Sequence, residues 1–235
     1  MGVFNLFKAV AGKKVGEARE TLTKGKKEPI DTSLPLQIHL GSSLVLDQTP
    51  FLIHGEAITQ PQPGAESLVF AYGRIDLGES VAHRFYLESA ADPEAKSVLQ
   101  VVEGDGIEEC RLFATLDEIY PESADEWAFW IGEEDGYIGL PAFEDKQGRL
   151  YDRVWGDGEG RMAPNEFTET LYLDRFGEKT ASVAHASMLY GRWIDEESEM
   201  AEYILASREE HTDGSALIQL SSGIDVIPES ITVKY

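Results

Sequence analysis

The sequence predicts an α+β protein that is mainly antiparallel β, with hairpin-rich sheets arranged as a sandwich or a curved sheet. Two observations support this prediction. Segments of alternating apolar and polar residues recur in pairs, and a turn rich in Gly and Asp separates the two members of each pair. Helical periodicity is confined to the N-terminus and one short internal segment, and strands joined by tight turns run antiparallel.

Five hairpins are predicted from these pairs. In each hairpin, Gly or Asp lies where the backbone has to turn tightly. The paired strands are 67–75 with 80–88, 97–103 with 107–114, 137–143 with 149–155, 168–176 with 181–190, and 200–209 with 215–221. Residues 195–210 have both helical and strand character, and the turn at Asp213 and Gly214 favours the strand.

Two further elements are predicted outside the hairpins. Residues 36–40 alternate between apolar and polar, which is typical of a half-buried strand. One short internal helix begins near Ser123, because Ser123 and Glu126 have the spacing of a capping box. Residues 127–131 supply its apolar face, and Gly132 ends it.

The N-terminus is predicted to form an amphipathic helix. Its apolar residues, spaced by three or four positions, form one stripe: Phe4, Phe7, Ala11, Val15, Ala18 and Leu22. Residues 24–29 have the composition of a linker. The chain is therefore divided into a basic amphipathic segment with its linker over residues 1–29 and an acidic β-rich body over residues 30–235. The body is one globular domain or two β subdomains.

Charge is divided unevenly along the chain. Seven basic and two acidic side chains give residues 1–27 a charge of +5, so the other 208 residues must carry −28 for the chain to total −23. Such an acidic body repels phosphate backbones, which argues against nucleic acid as a partner. We expect a protein partner, with a basic partner as the sharper alternative to a charge that serves solubility alone.

The N-terminal segment is the candidate for contact with that partner. A basic amphipathic helix docks on a partner protein or lies weakly on an anionic membrane. The residues predicted to make this contact are Phe4, Phe7, Lys8, Lys13 and Lys14. Docking against the chain's own acidic body and a disordered tail are the alternatives left open.

No catalytic or metal-binding motif stands out in the sequence. The five histidines lack zinc-site spacing, and the acidic loop containing Asp152 and Asp157 lacks the ligand order of a calcium loop. We therefore expect no cofactor and no metal. If the protein is a hydrolase that uses dispersed carboxylates and a histidine, its candidate catalytic residues are Asp152, Asp157, His83 and His185.

The cellular location is predicted from what the sequence lacks. A single cysteine, Cys110, cannot form an internal disulfide and fits a reducing compartment. No signal peptide is visible, and no apolar stretch approaches the roughly 20 residues of a membrane span. We expect a cytoplasmic protein, with the periphery of the inner membrane as the alternative.

Four segments resemble a known family. They are the basic, Phe-containing residues 1–8, the run Glu-Trp-Ala-Phe-Trp-Ile-Gly at 126–132, the run Arg-Leu-Tyr-Asp-Arg-Val-Trp at 149–155, and the C-terminal residues 216–235. Together the chain resembles the YjfK-like family of uncharacterised bacterial proteins over roughly residues 30–235. The resemblance implies no catalytic residues. It implies an accessory role near membrane-stress components, by association only.

Three functions are carried forward from the sequence. The leading hypothesis is a non-enzymatic interaction or accessory protein, linked to membrane stress. The alternatives are a hydrolase and a small-molecule binding module, which requires a large apolar pocket with few polar groups.

Overall fold

A computed structural model describes residues 28–92, 95–195, 197 and 200–235. The strands are β1 (Ser43–Val45), β2 (Glu66–Asp76), β3 (Val81–Ser89), β4 (Lys96–Glu103), β5 (Ile107–Ile119), β6 (Ala142–Glu144), β7 (Leu150–Arg153), β8 (Asn165–Tyr172), β9 (Thr180–Asp195), β10 (Met200–His211), β11 (Ala216–Asp225) and β12 (Thr232–Lys234). The helices are α1 (Thr49–His54) and α2 (Ala124–Ile131), and two short 3-10 turns are η1 (Pro35–Gln37) and η2 (Pro228–Ser230). The predicted N-terminal helix lies outside the described residues.

Eight of the strands close into a barrel. The neighbours run β2, β3, β4, β5, β11, β10, β9 and β8, and β8 pairs in turn with β2. Every pairing is antiparallel, which confirms the predicted strand type. The predicted sandwich is replaced by a sheet that curves until its two ends meet. Closure depends on a short ladder in which Tyr72–Ile75 of β2 face Glu169–Tyr172 of β8.

The predicted hairpins and internal helix are confirmed. Each of the five strand pairs is present, although β6 and β7 are shorter than predicted. Of residues 195–210, the structure describes Asp195 as the end of β9, residue 197 as a turn and 200–210 as part of the strand β10. At the start of α2, the Glu126 amide donates to Ser123 Oγ at 3.2 Å, and the Glu126 carboxylate accepts from the Glu122 amide at 2.8 Å.

The strand predicted over residues 36–40 is wrong. Leu36 and Gln37 have φ angles of 56° and 57°, in the left-handed region, and they lie in η1. The amide of Leu40 donates to the buried carboxylate of Asp31 at 3.0 Å, so it is not available to a strand partner. Ile38 and Leu40 are buried as predicted, but they belong to a loop that packs on the barrel.

The apolar core lies mainly outside the barrel wall. Residues 30–58 cover one side, where Ile38, Leu44 and Phe51 pack against outward-facing Phe85 and Leu112. On another side, α2, β6 and β7 cover a second cluster of outward-facing residues from β9, β10 and β11. Because side chains alternate along a strand, the other face of each of these strands points into the barrel.

We predict that Gln37→Gly stabilises the protein. Gln37 is exposed, and a left-handed backbone conformation costs an L-residue roughly 1–2 kcal/mol, which Gly avoids. Part of this gain is offset, because Gly loses more conformational entropy on folding. We expect the free energy of unfolding, measured with urea, to rise by about 0.5–1 kcal/mol. Ser33→Gly is the control, because Ser33 is exposed without a positive φ and should gain nothing. No gain at Gln37 would contradict the strained backbone.

Candidate functional site

Five buried polar side chains meet inside the barrel and form what we call the lumen cluster. Each of them is at most 7% exposed. They lie on inward-facing positions of β3, β8, β9 and β10: Arg84, Tyr86, Glu169, His185 and Glu209. Such burial requires hydrogen-bonded or ionic partners, because an unpaired charge in a protein interior is costly.

Glu169 is the centre of the lumen cluster. Its carboxylate accepts from Arg84 Nη1 at 2.9 Å, from the Tyr86 hydroxyl at 2.7 Å and from His185 Nε2 at 3.1 Å. Burial alone would raise the pKa of Glu169, but the charge of Arg84 and the hydrogen bonds from His185 and Tyr86 hold that pKa at about 2. Glu169 is therefore a carboxylate at neutral pH, and it forms a buried ion pair with Arg84.

Gly73 lets Glu169 reach across the barrel wall. Gly73 lies on β2 directly opposite Leu171 of β8. A Cβ atom at Gly73 would lie 1.7 Å from Glu169 Oε1, which is far inside van der Waals contact. The absence of a side chain at this position is what allows the carboxylate of β8 to meet Arg84 on β3.

His185 is neutral in this arrangement. Burial lowers its pKa, and the hydrogen bond to Glu169 only partly opposes that effect. Since Glu169 accepts from Nε2, the proton lies on Nε2, and Nδ1 accepts from Ser207 Oγ at 3.2 Å. Ser207 in turn hydrogen-bonds Ser187 at 2.7 Å, so the polar chain continues along the barrel.

The pKa of Glu209 is shifted in the opposite direction from the pKa of Glu169. Burial and the nearby charge of Glu169 raise its pKa to about 8, so it carries a proton at neutral pH. Its carboxyl oxygens lie 3.7 Å from His185 Nδ1 and 3.8 Å from His211 Nε2, beyond hydrogen-bonding distance. Beside Glu209 is a cavity of about 30 Å³, which has room for about one or two water molecules.

A second site lies on the outside of the barrel, and we call it the outer groove. It has a volume of about 810 Å³ and lies between α1, the first residues of β5, the end of β11 and η2. Its floor is apolar and includes Leu46, Phe51, Cys110, Leu112, Met200 and Ile224. Three apolar side chains stand exposed at its edges: Ile53 at 68%, Ile107 at 39% and Ile227 at 69%. Grouped exposed apolar side chains of this kind mark binding surfaces.

The charged side chains of the outer groove are mostly acidic. Four carboxylates line it against one arginine: Asp47, Glu108, Glu109 and Asp225 against Arg111. Arg111 is held by Glu109 at 2.6 Å and by Asp225 at 2.9 Å. Burial and the charge of Asp225 raise the pKa of the Cys110 thiol to about 12, so Cys110 is not a nucleophile at neutral pH.

A buried carboxylate outside the barrel anchors the chain that follows α1. Glu202 is fully buried and accepts from the amides of Thr59 and Gln60, the latter at 2.9 Å. It also accepts from Tyr151 at 3.0 Å and Arg192 at 2.9 Å. These bonds tie the chain that follows α1 to β10.

The sequence of the chain matches one family profile, over residues 10–232. The chain belongs to the DUF2491 family. The family is described as a protein of unknown function, which agrees with the predicted resemblance to an uncharacterised family. No curated protein and no solved structure matches this DUF2491 protein. Across the ranges the structure describes, no helix is long and apolar enough to cross a membrane.

The residues proposed for a hydrolase lie apart from one another. Asp152 on β7 and Asp157 in the following loop are exposed. His83 faces outward on β3 and hydrogen-bonds the Tyr72 hydroxyl at 2.8 Å, and burial lowers its pKa to about 4. Of these four candidates, His185 is the one that hydrogen-bonds a buried carboxylate, which is Glu169. In the described part of the chain no three His, Cys, Asp or Glu side chains are grouped to hold a metal.

Glu169 and the outer groove were not predicted from the sequence. A signal for Glu169 exists, because it occupies an apolar register between Phe167 and Leu171 in a predicted strand. The residues predicted to contact a partner or membrane, Phe4, Phe7, Lys8, Lys13 and Lys14, lie outside the described residues.

We predict that Glu169→Gln strongly destabilises this DUF2491 protein. The substitution leaves Arg84 buried without a charged partner, a change that typically costs about 3–5 kcal/mol. The measurement is the free energy of unfolding from urea titration at pH 7. Glu166→Gln is the matched control, since Glu166 is an exposed residue of the same strand. An equal effect at both positions would contradict the central place of Glu169.

We predict that Glu209→Gln changes the pH dependence of stability. Between its usual value near 4.5 and its folded pKa of about 8, Glu209 holds a proton that the unfolded chain has lost. Loss of this proton from the unfolded chain lowers the free energy of unfolding as the pH rises through this window. Gln cannot ionise, so the variant does not lose stability in this way. Urea unfolding at pH 5, 7 and 9 should show the variant gaining on the natural protein as the pH rises. Exposed Glu210→Gln should give a constant difference. A constant difference for Glu209→Gln as well would show that Glu209 ionises normally.

Proposed function

We propose that this DUF2491 protein is a non-enzymatic interaction protein, and that its outer groove binds a basic, apolar segment of a partner protein. One observation supports this most directly: the exposed apolar edges and the acidic side chains belong to the same groove. A segment with apolar anchors on one side and lysine or arginine on the other satisfies both features.

The apolar edges supply the binding energy in this proposal. Ile53 and Ile227 are each more than two-thirds exposed, on opposite sides of an apolar floor. Covering exposed apolar surface stabilises a complex by about 25 cal/mol per Å², before the cost of ordering the partner. An amphipathic helix presents such anchors at positions i, i+3 or i+4, and i+7.

The charges supply selectivity for a basic partner. Arg111 is engaged by Glu109 and Asp225, whereas Asp47 and Glu108 are exposed carboxylates of the groove. The other 208 residues, which include the whole described body, carry a formal charge of −28. Long-range attraction of this kind raises the association rate of basic partners and weakens with salt.

A small-molecule binding module is the second candidate. The groove volume of about 810 Å³ falls within the range of pockets that enclose drug-sized ligands, roughly 300–1,000 Å³. The exposed edges favour a longer occupant, because Ile53 and Ile227 would stay in water around a small ligand.

The hydrolase hypothesis is less well supported by the geometry. The histidine–carboxylate pair that it requires exists between His185 and Glu169. The cavity beside that pair measures about 30 Å³, so it admits water and excludes a substrate. The cytoplasmic or inner-membrane location, the YjfK-like resemblance and the link to membrane stress stay predictions from the sequence.

The test uses a designed helical peptide with leucines at i, i+3, i+4 and i+7 and lysines elsewhere. We expect it to bind the full chain with a dissociation constant on the order of 1–100 µM, more weakly at high salt. Ile53→Ser with Ile227→Ser should weaken binding at least about tenfold, since each buried apolar anchor contributes on the order of 1 kcal/mol or more and Ser adds no charge. Fluorescence anisotropy of the labelled peptide is the measurement.

Two controls make the test specific. Leu150→Ser changes a side chain that is 62% exposed and lies outside the groove, so it should leave binding unchanged. A peptide with glutamate in place of lysine should not bind. Equal binding of both peptides, or no loss on changing Ile53 and Ile227, would contradict the proposed function.

A further inference from the structure

We propose that the cavity inside the barrel binds one monovalent cation about the size of a water molecule, such as potassium. We call it the ion site. It lies on the inward faces of β10 and β11, and its proposed ligands are oxygen atoms of Ser207, Glu209 and Gln219. The ion site goes beyond the proposed function, since among the described residues it has no lining residue in common with the outer groove.

The cavity is small, enclosed by the barrel and mostly polar. Its volume is about 30 Å³, which has room for one or two water molecules. Val98, Phe113 and Leu205 form the apolar part of its lining, and the other lining side chains are polar. A space of this size excludes organic ligands, but it admits a single small ion together with at most one water molecule.

The register of β10 and β11 brings the proposed ligands together. Ser207 on β10 lies directly opposite Gln219 on β11. Glu209 is the next residue of β10 that faces the interior, because side chains alternate along a strand. Opposite and diagonal side chains on one face of a sheet lie within reach of each other. A hydroxyl, an amide and a carboxyl group therefore line the same small space.

Two buried oxygen atoms of this group point to an occupant. They are Oε2 of Glu209, a residue that is 4% exposed, and Oε1 of Gln219, a residue that is 8% exposed. Neither atom has a hydrogen-bond partner among the described residues. The amide nitrogen of Gln219 is directed to the hydroxyls of Thr115 and Ser221, at 3.3 and 3.5 Å, so its carbonyl oxygen is the free end. Buried acceptors are almost always satisfied, which favours a ligand that both oxygens can share.

Ser207 supplies a third oxygen. Its hydroxyl donates to His185 Nδ1 at 3.2 Å, and the Ser187 hydroxyl at 2.7 Å then donates to Ser207. A hydroxyl oxygen has two lone pairs, so one lone pair of Ser207 remains for an ion. Carboxylate, carbonyl and water oxygens are the ligands that hard cations prefer.

Charge balance favours a monovalent cation over a divalent one. Arg84 neutralises Glu169, and His185 is neutral, so a carboxylate at Glu209 is the remaining charge of the lumen cluster. A proton neutralises that carboxylate, and a bound potassium ion can replace the proton, which passes to the solvent. A divalent ion would leave a net positive charge beside Arg84, and uncompensated charge in a protein interior is costly.

The test compares potassium with tetramethylammonium, a cation too large for the cavity, at equal chloride concentration. Urea unfolding of the full chain is measured at pH 9, where protons compete little for the carboxylate. If the dissociation constant is on the order of 10 mM, about 100 mM potassium should lower the unfolding equilibrium constant roughly tenfold relative to tetramethylammonium. Equal unfolding in the two salts would overturn the ion site.

A matched pair of variants separates the ion site from the general attraction of cations to an acidic protein. Glu209→Gln and Glu210→Gln each replace one of two adjacent carboxylates, and Glu210 is exposed. Each variant is compared with itself in the two salts, so a change in its overall stability does not affect the result. The potassium effect should disappear in Glu209→Gln and persist in Glu210→Gln. A potassium effect of equal size in both variants would indicate surface screening and would overturn the ion site.

A second measurement locates the ion in the natural protein and depends on no variant. Crystals of the full chain are grown with rubidium in place of potassium, and diffraction is recorded at the rubidium absorption edge. We expect an anomalous peak between Glu209 Oε2 and Gln219 Oε1. A cavity that holds water alone would overturn the ion site, whether or not rubidium binds at the protein surface.

Discussion

The ion pair between Glu169 and Arg84 is the constraint on which the barrel depends. Glu169 lies on β8, the strand that joins the two ends of the sheet, and its carboxylate reaches Arg84 over the bare backbone of Gly73. Neither charge is tolerable alone in the interior, because an unpaired buried charge costs several kcal/mol. The same carboxylate fixes the tautomer of His185 and receives the Tyr86 hydroxyl, so one group organises the polar interior.

A polar interior has consequences for the outer surface. Since the inward positions carry charged and hydroxyl groups, the outward positions of the same strands carry much of the apolar core. Those outward faces have to be covered, and residues 30–58, α2, β6 and β7 cover them. The cover is incomplete beside α1, where Ile53, Ile107 and Ile227 remain exposed around an apolar floor. The outer groove thus lies where the segments that pack around the barrel leave apolar surface exposed.

The proposed partner site combines the electrostatic field of the whole body with a local apolar surface. The outer groove lies on a strongly acidic body, so charge attracts basic segments without selecting where on the surface they bind. In the proposed function, the exposed side chains of Ile53 and Ile227 make that selection at the outer groove.

The sequence alone determined the local elements of this protein. Turn residues such as Asp213 and Gly214 set the hairpins, and Ser123 with Glu126 set the start of α2, because both act over a few residues of backbone. The tertiary structure decided the left-handed path at Leu36 and Gln37, since the Asp31 carboxylate takes the amide of Leu40. It also decided the closure of the barrel, the meeting of Glu169 with Arg84 and the outer groove. These features join residues that are far apart in the chain. The residues adjacent to a side chain in sequence do not determine which distant charged or apolar group it will contact.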